Sequence, residues 1–252
     1  MEARVARICR YPVKGLAAEC LDAAELATGR TVPGDRAFAL AHGASGWSAA
    51  EPEWRPKQDF VTLLRTEKLA RLGASWDAEA GILTVSRAGK PVARGDPGSP
   101  TGRAILEQFF AAYLDGAARG PLRIAAVPGH ALTDVETPFV SLINQASVTD
   151  LERVIRAPVD PSRFRGNVLV EELEPWREFD WVGREISVGG ARLRVAERIG
   201  RCAATHVNPA TAERDLNLLR ALADGFGHTQ MGVYATVVDG GPVAVGDPIA
   251  VS

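Results

Sequence analysis

Through the first third of the chain apolar and polar residues alternate over short runs, the two-residue period of half-buried strands. Residues 4–10, 20–26 and 36–41 predict strands, the third entered through the turn signal Pro33-Gly34-Asp35. Residues 61–64, 69–76, 82–86 and 91–94 continue the series, with Asp77-Ala78-Glu79-Ala80-Gly81 as a hairpin loop. Many short strands joined by tight turns point to a small barrel or sandwich. The pattern breaks at Asp96-Pro97-Gly98-Ser99-Pro100. Beyond it Thr101 caps a predicted helix to Leu114, with Ile105, Leu106, Phe109, Phe110 and Tyr113 on one face and Gly116 and Gly120 past its end. Residues 127–139, carrying His130 and Asp134, read as a long loop suited to a lid or rim. Ser147 and Asp150 have capping-box spacing for a helix to Ile155. Strands return at 168–171, 184–188, 193–195, 233–238 and 248–251, with Gly189-Gly190 as a turn and a helix at 213–224. The expected class is mainly β with α (α+β): an N-terminal β-module over 1–96, then a linking helix and a β-rich domain with inserted helices over 97–252.

Composition narrows the function classes. The 252 residues, 46% hydrophobic and 24% charged, have ample material for a core. A net charge of −2 gives no reason to expect nucleic acid or an anionic membrane as partner. No apolar run approaches the roughly 20 residues of a membrane span, and Met1-Glu2-Ala3-Arg4-Val5 opens no signal peptide, so a cytoplasmic protein is expected. Three cysteines, odd in number and widely spaced, make no disulfide framework and fit a reducing compartment. Cys9 and Cys20 read as packing residues.

Candidate chemistry gathers at four basic, glycine-containing segments: Tyr11-Pro12-Val13-Lys14-Gly15, Pro33-Gly34-Asp35-Arg36, Arg163-Phe164-Arg165-Gly166-Asn167 and Gly200-Arg201-Cys202. Cationic side chains beside free backbone N–H groups suit phosphate or another polyanion, arginine offering bidentate contacts. Cys202 has arginines at 198 and 201 and an Asn208-Pro209 turn after it. Nearby cations favour the thiolate, the form that attacks electrophiles or binds soft metals. A buried apolar cysteine is the competing reading, and solvated surface charge is the competing reading of each basic segment taken singly. His42, His130, His206 and His228 lack the close pairing of a zinc site, and His206 is open as ligand, general acid or surface residue. Neither a G-x-G-x-x-G nor a Gly-Lys-Ser/Thr loop occurs, so nucleotide folds gain no support, and cluster-type cysteine spacing is lacking.

In order and separation these four segments, with Val207-Asn208-Pro209 and Gly246-Asp247-Pro248, resemble the MOSC family, named from the C-terminal domain of molybdenum cofactor sulfurases. The layout is most similar to the amidoxime-reducing component proteins. The resemblance implies an N-terminal β-barrel module followed by a MOSC β-barrel domain, binding a molybdenum–pterin cofactor with Cys202 as thiolate ligand and catalytic residue. It assigns Lys14, Gly15, Arg36, Ser147, Arg163, Arg165, Asn167 and Arg201 to the cofactor's phosphate and pterin. It further implies reduction of small N-hydroxylated substrates such as amidoximes, with electrons from a separate ferredoxin, flavoprotein or cytochrome-type partner. The alternative is a cofactor-binding or sulfur-carrying protein, with a persulfide on Cys202 and no turnover of its own. Gly15 and Gly200 stand where the family often has serine, and Gly166 where it often has proline. Roles for His130, Asp134 and His206 in proton delivery stay open.

Overall fold

The computed structural model describes residues 3–251. The strands and helices follow in the order β1 (Ala3–Arg10), β2 (Glu19–Leu21), β3 (Ala23–Leu26), β4 (Ala39–Ala41), β5 (Leu72–Asp77), β6 (Ile82–Arg87), β7 (Lys90–Gly95), α1 (Pro100–Leu114), β8 (Arg123–Ala125) and β9 (Val140–Asn144). Then come α2 (Gln145–Ile155), β10 (Val168–Glu171), β11 (Glu185–Val188), β12 (Ala191–Gly200), α3 (Leu218–Phe226), β13 (Gln230–Asp239), β14 (Gly241–Ala244) and β15 (Pro248–Val251). The class is α+β, as the alternation predicts.

Seven strands close on themselves in the order β1-β10-β9-β13-β12-β11-β15, β15 pairing back onto β1, while β2 extends the sheet from β1. Closure leaves these strands no free edge. β12 shows why the barrel fills: Ala191, Leu193 and Val195 point inward, Arg192 and Arg194 outward. Its register then shifts between Val195 and Glu197 and again between Arg198 and Gly200. Between these shifts the alternation lapses, residues 196–198 all being exposed, before Ile199 is buried again. The core holds Val5, Leu142, Val170, Ile186, Leu193, Val233 and Ala235. β1 (Ala3–Arg10) serves as a stave of the barrel, whose other six strands all come from the second half of the chain.

The other strands form small sheets: the meander β5-β6-β7 and the pair β4-β8 within the N-terminal half, and β3 paired with β14 from the C-terminal half. α1 covers the meander with Gly102, Leu106, Phe110 and Leu114, the i, i+4, i+8 stripe of a one-sided helix. Each large apolar side chain buried there contributes about 1.5–3 kcal/mol. Ile105 lies off that stripe, 46% exposed, against the sequence expectation. Ser99, not Thr101, caps α1 through Gly102 N–H, because Pro100 fits the first helical turn. Asn144 rather than Ser147 caps α2. The helix expected at 213–224 begins at Leu218, where the Asn217 side chain accepts from Arg220 N–H. Residues 62–64 form a turn rather than a strand, Arg65 N–H closing onto Thr62 O. Strands β8, β9 and β14 are additional to the expected set. Among the described residues no helix is long and apolar enough to cross a membrane.

Candidate functional site

Where β1 leaves the barrel the chain enters Tyr11-Pro12-Val13-Lys14-Gly15, which pairs with residues 35–38. Tyr11 N–H donates to Asp35 Oδ1 at 2.8 Å, Arg36 N–H to Tyr11 O at 2.8 Å and Lys14 N–H to Phe38 O at 2.8 Å. Two basic segments are thereby joined. The third arrives from the turn Pro161–Phe164, capped by Asp160, after which Arg165 takes a left-handed conformation. The fourth is the bulged end of β12, where Arg201 N–H bonds Thr229 O.

These segments line one cavity of about 150 Å³, with Lys14, Gly15, Arg36, Arg163, Arg165, Asn167, Arg201 and Cys202 in its wall. Thr133, Asp134, Val135, Thr137 and Phe139 complete one side, so the 127–139 loop is its rim. Eight of the nine expected site residues converge here. Ser147 does not: fully buried inside α2, its hydroxyl bonds Glu178 at 2.8 Å and accepts from Trp176 N–H at 2.8 Å. Burial raises the Glu178 carboxyl, although hydrogen bonds from Asn144 and Ser147 oppose the rise. This network ties helix α2 to the turn at Arg177–Trp181.

Electrostatics sets the character of the cavity. Its wall carries five cationic side chains, Lys14, Arg36, Arg163, Arg165 and Arg201, against one carboxylate, Asp134. Three cations have carboxylate partners: Lys14 Nζ lies 2.5 Å from Asp134, Arg36 2.6 Å from Asp35, and Arg163 2.7 and 2.8 Å from the two oxygens of Asp215. Among the described residues Arg165 and Arg201 make no salt bridge and bond only neutral carbonyls. Arg165 donates to Leu16 O at 2.7 Å, and Arg201 to Met231 O at 2.9 Å and Phe164 O at 2.8 Å. Burial, with Arg36 adding to it, pushes the Arg165 guanidinium down to about 10, and burial does the same to Arg201. Both stay charged at neutral pH, so the wall holds two cations with no salt-bridge partner among the described residues. A partly desolvated charge in that condition is costly until an anion joins it.

Tyr11, buried beneath the wall, is the platform for two of the guanidiniums: Arg165 lies 4.2 Å and Arg36 4.4 Å from its ring centre. Both arginines hold positive φ, +52° and +47°. Left-handed backbone costs about 1–2 kcal/mol at a side-chain-bearing residue. Arg163 keeps one buried donor, Nε, without a partner. Asn167 is largely spent on the fold: Oδ1 accepts from Ser141 N–H at 3.1 Å and its hydroxyl at 2.8 Å, and Nδ2 donates to Cys9 O at 3.2 Å.

Cys202 precedes the turn Ala203–His206, its carbonyl accepting from Thr205 N–H at 3.1 Å and Oγ1 at 3.0 Å. The side chain caps nothing and lines the cavity, half-buried. Phe139 and Tyr234, stacked at 4.9 Å, form a flat face that the sequence did not announce, since an aromatic residue on a strand is ordinarily packing. No histidine lines the cavity. His206 instead accepts from Leu219 N–H at 3.4 Å, and His130 contacts Ala131 O at 2.9 Å. Among the described residues no group of three His, Cys, Asp or Glu gathers as a metal site.

The departures from the family pattern have distinct structural settings. Gly15 has φ +92°, and a Cβ there would sit 2.9 Å from Leu69 Cδ1, so glycine is required. A Cβ on Gly166 would lie 2.3 Å from Ile143 Cγ1, whereas one on Gly200 meets nothing within 4 Å.

Comparison with known proteins agrees with the geometry. The chain carries a MOSC N-terminal beta barrel domain, matched over residues 2–113, followed by a MOSC domain, matched over residues 132–250. It belongs to the MOSC proteins, a family linked to molybdenum cofactor sulfuration and binding. Its similarity to the molybdenum cofactor sulfurase of Caenorhabditis elegans is 36% identity over 103 residues, 39% of this chain and 14% of that protein. For the Anopheles gambiae sulfurase it is 36% over 76 residues, 30% of this chain and 10% of the other. The chain thus matches about a seventh or less of these relatives' length. Among solved structures, the YuaD protein of Bacillus subtilis aligns over 100% of this chain and 96% of its own at a TM-score of 0.47 and 12% identity.

Proposed function

We propose, on the premise of this family membership, that the cavity binds a molybdenum–pterin cofactor and that the protein uses it as an oxidoreductase on small N-hydroxylated substrates of the amidoxime type. The observation that carries the reading is the meeting of one unengaged thiol, Cys202, with the guanidiniums of Arg165 and Arg201, which among the described residues bond carbonyls and no carboxylate, in a single wall. The residues fit such a group. With no protein cluster among the described residues able to hold a metal alone, a metal at Cys202 needs ligands from its own organic carrier. The uncompensated charge and the orphaned Arg163 Nε suit an anionic carrier. The flat Phe139–Tyr234 face suits a planar ring.

When bound, the cofactor supplies a metal able to exchange two electrons and accept an oxygen atom. The chain's own work is to hold and tune it. Cys202 Sγ supplies a soft, electron-rich ligand. Arg165 and Arg201, kept off carboxylates, neutralise the anionic tail, and Arg36 is aimed by Asp35 and Tyr11. Lys14 stays on the rim, clamped between Leu132 O at 2.9 Å and Asp134. Burial lowers Lys14, and although burial would raise Asp134, the adjacent ammonium outweighs it and holds that carboxyl low. Electrons come from a separate protein donor.

Elemental analysis of protein purified from a cofactor-competent host tests the reading. Molybdenum should be present in wild type and lost in Cys202→Ala, whose melting temperature should match that of cofactor-free wild type, because the turn uses only the Cys202 carbonyl. Metal-free wild type, or a Cys202→Ala variant retaining its metal, refutes it. The sulfurase similarity favours one second reading, in which Cys202 carries a persulfide. Mass spectrometry showing one added sulfur on Cys202, without benzamidoxime reduction under an artificial donor, selects it over the first.

A further inference from the structure

We propose that Cys9 and Cys20 form a reversible dithiol–disulfide pair, an oxidative modification site separate from the cavity thiol Cys202. The two residues are direct partners across the antiparallel β1/β2 pair, and their sulfurs lie 3.8 Å apart as free thiols. The backbone identifies which kind of partners they are. Cys9 N–H donates to Asn167 O at 2.7 Å and Cys9 O accepts from Asn167 Nδ2 at 3.2 Å, so both polar groups point away from β2. In an antiparallel pair this marks the non-hydrogen-bonded site, where facing Cα atoms approach to about 4.5 Å and side chains come closest. That separation lies within the roughly 4.4–6.8 Å that a disulfide spans, and closing the sulfurs to about 2.05 Å needs side-chain rotation rather than movement of strands. Packing alone, the sequence reading of both residues, does not require a facing pair of thiols.

Exposure assigns the roles. Cys20 is exposed and Cys9 is 8% exposed. Burial, with Cys20 adding to it, pushes the Cys9 thiol up to about 12. Cys20 therefore meets an oxidant first. With a low-molecular-weight disulfide such as oxidised glutathione, the Cys20 thiolate attacks one sulfur, that S–S bond breaks, and one glutathione leaves as thiolate. Cys9 then gives up its proton to the departing thiolate and attacks the Cys20 sulfur, expelling the second glutathione. Two protein thiols lose two electrons and two protons, and one glutathione disulfide becomes two thiols. An excess of reduced dithiol runs the sequence backward. The product pins β2, a three-residue strand, onto the barrel stave whose backbone Asn167 grips.

Full-length protein equilibrated in glutathione buffers from reducing to oxidising, alkylated and read by peptide mass spectrometry, tests this. Expected are a Cys9–Cys20 linked peptide that appears with oxidation and vanishes with dithiothreitol, and a rise in melting temperature on oxidation. Cys9→Ser should stop at a stable glutathione adduct on Cys20, and Cys20→Ser should leave Cys9 unmodified. Folded wild type with both thiols still alkylated in the most oxidising buffer overturns the proposal. So does a wild-type Cys20 that halts at the glutathione adduct, or linkage of either cysteine to Cys202 instead.

Discussion

Arg165→Met separates a guanidinium kept for a ligand from one kept for the fold. Methionine has similar length and no charge, so three terms change in the cofactor-free protein. The charged hydrogen bond to Leu16 O is lost, about 1.5–3 kcal/mol. The stacking on Tyr11 is lost, about 0.5–2 kcal/mol. Against these stands relief of the desolvated charge: a fall from the ordinary arginine range to about 10 corresponds to about 3 kcal/mol. The terms nearly cancel, and urea denaturation of the apo protein should show a change within about 2 kcal/mol. Loaded protein should behave otherwise. A guanidinium about 4 Å from a ligand anion is worth up to about 4 kcal/mol at an effective dielectric of 20, and every 1.4 kcal/mol is tenfold in affinity. Cofactor retention through dialysis, followed by molybdenum content, should therefore fall by one to three orders of magnitude. A variant that loses well over 3 kcal/mol of apo stability yet keeps its metal would make Arg165 a structural residue and remove the charge argument.

Four further outcomes follow from the same contacts. Asp215→Asn strips Arg163, whose side chain is 3% exposed, of its carboxylate, and should cost about 2–3 kcal/mol at neutral pH, since an uncompensated buried charge remains. Burial would raise the Asp215 carboxyl, but Asn208 and Arg163 outweigh it and hold it low. The pair's stabilisation is therefore complete above about pH 3.9 and lost as pH falls through the lower folded value, so denaturation curves of variant and wild type should converge in acid. Gly15→Ser should lose about 1–3 kcal/mol to its left-handed backbone and Leu69 contact, whereas Gly200→Ser, facing open space, should leave the melting temperature unchanged. Ser147→Ala should destabilise by about 1–3 kcal/mol through an under-satisfied Glu178 while molybdenum content stays at the wild-type level; metal loss in a folded variant would restore Ser147 to the site.

How much of this was legible in the sequence differs by level. Alternation found most barrel strands because a closed sheet keeps one face dry, and β12 reads as Ala191, Leu193, Val195 inward even before its partners are known. It missed β9, whose five residues are all buried and show no alternation, and β8 and β14, three and four residues long. The four basic segments were visible as segments. Their convergence was not, because it depends on β1 serving as a stave of the later barrel, a pairing across more than 150 residues. Nor could spacing distinguish arginines already partnered by carboxylates, such as Arg163, from those that are not. Ser147 lies outside the cavity wall for a local reason: the hydroxyl sits inside a helix about one turn past the Asn144 cap, where Glu178 satisfies it.

The barrel's closure also explains why the site tolerates so much uncompensated charge. Arg165 and Arg36 are held in left-handed backbone, and Arg201 directly after β12, whose register against β13 shifts three times. None of these conformations is the local optimum of its segment, so each must be imposed by packing elsewhere. Tyr11 anchors two of the three, and its own position is fixed by Asp35 and by the β1 stave. On the same stave Cys9 is flanked by Asn167, just before β10, on one side and by Cys20 of β2 on the other. The interior supplied by Val5, Leu142, Val170 and Val233 thus supports the frame that holds this charge arrangement. On this account a destabilising barrel substitution such as Leu142→Ala, expected to cost about 2–5 kcal/mol, should weaken cofactor retention as well as the fold, although Leu142 is not among the residues lining the cavity. Cofactor added to the apo variant should recover part of the lost melting temperature; equal losses with and without it would uncouple the site from the barrel.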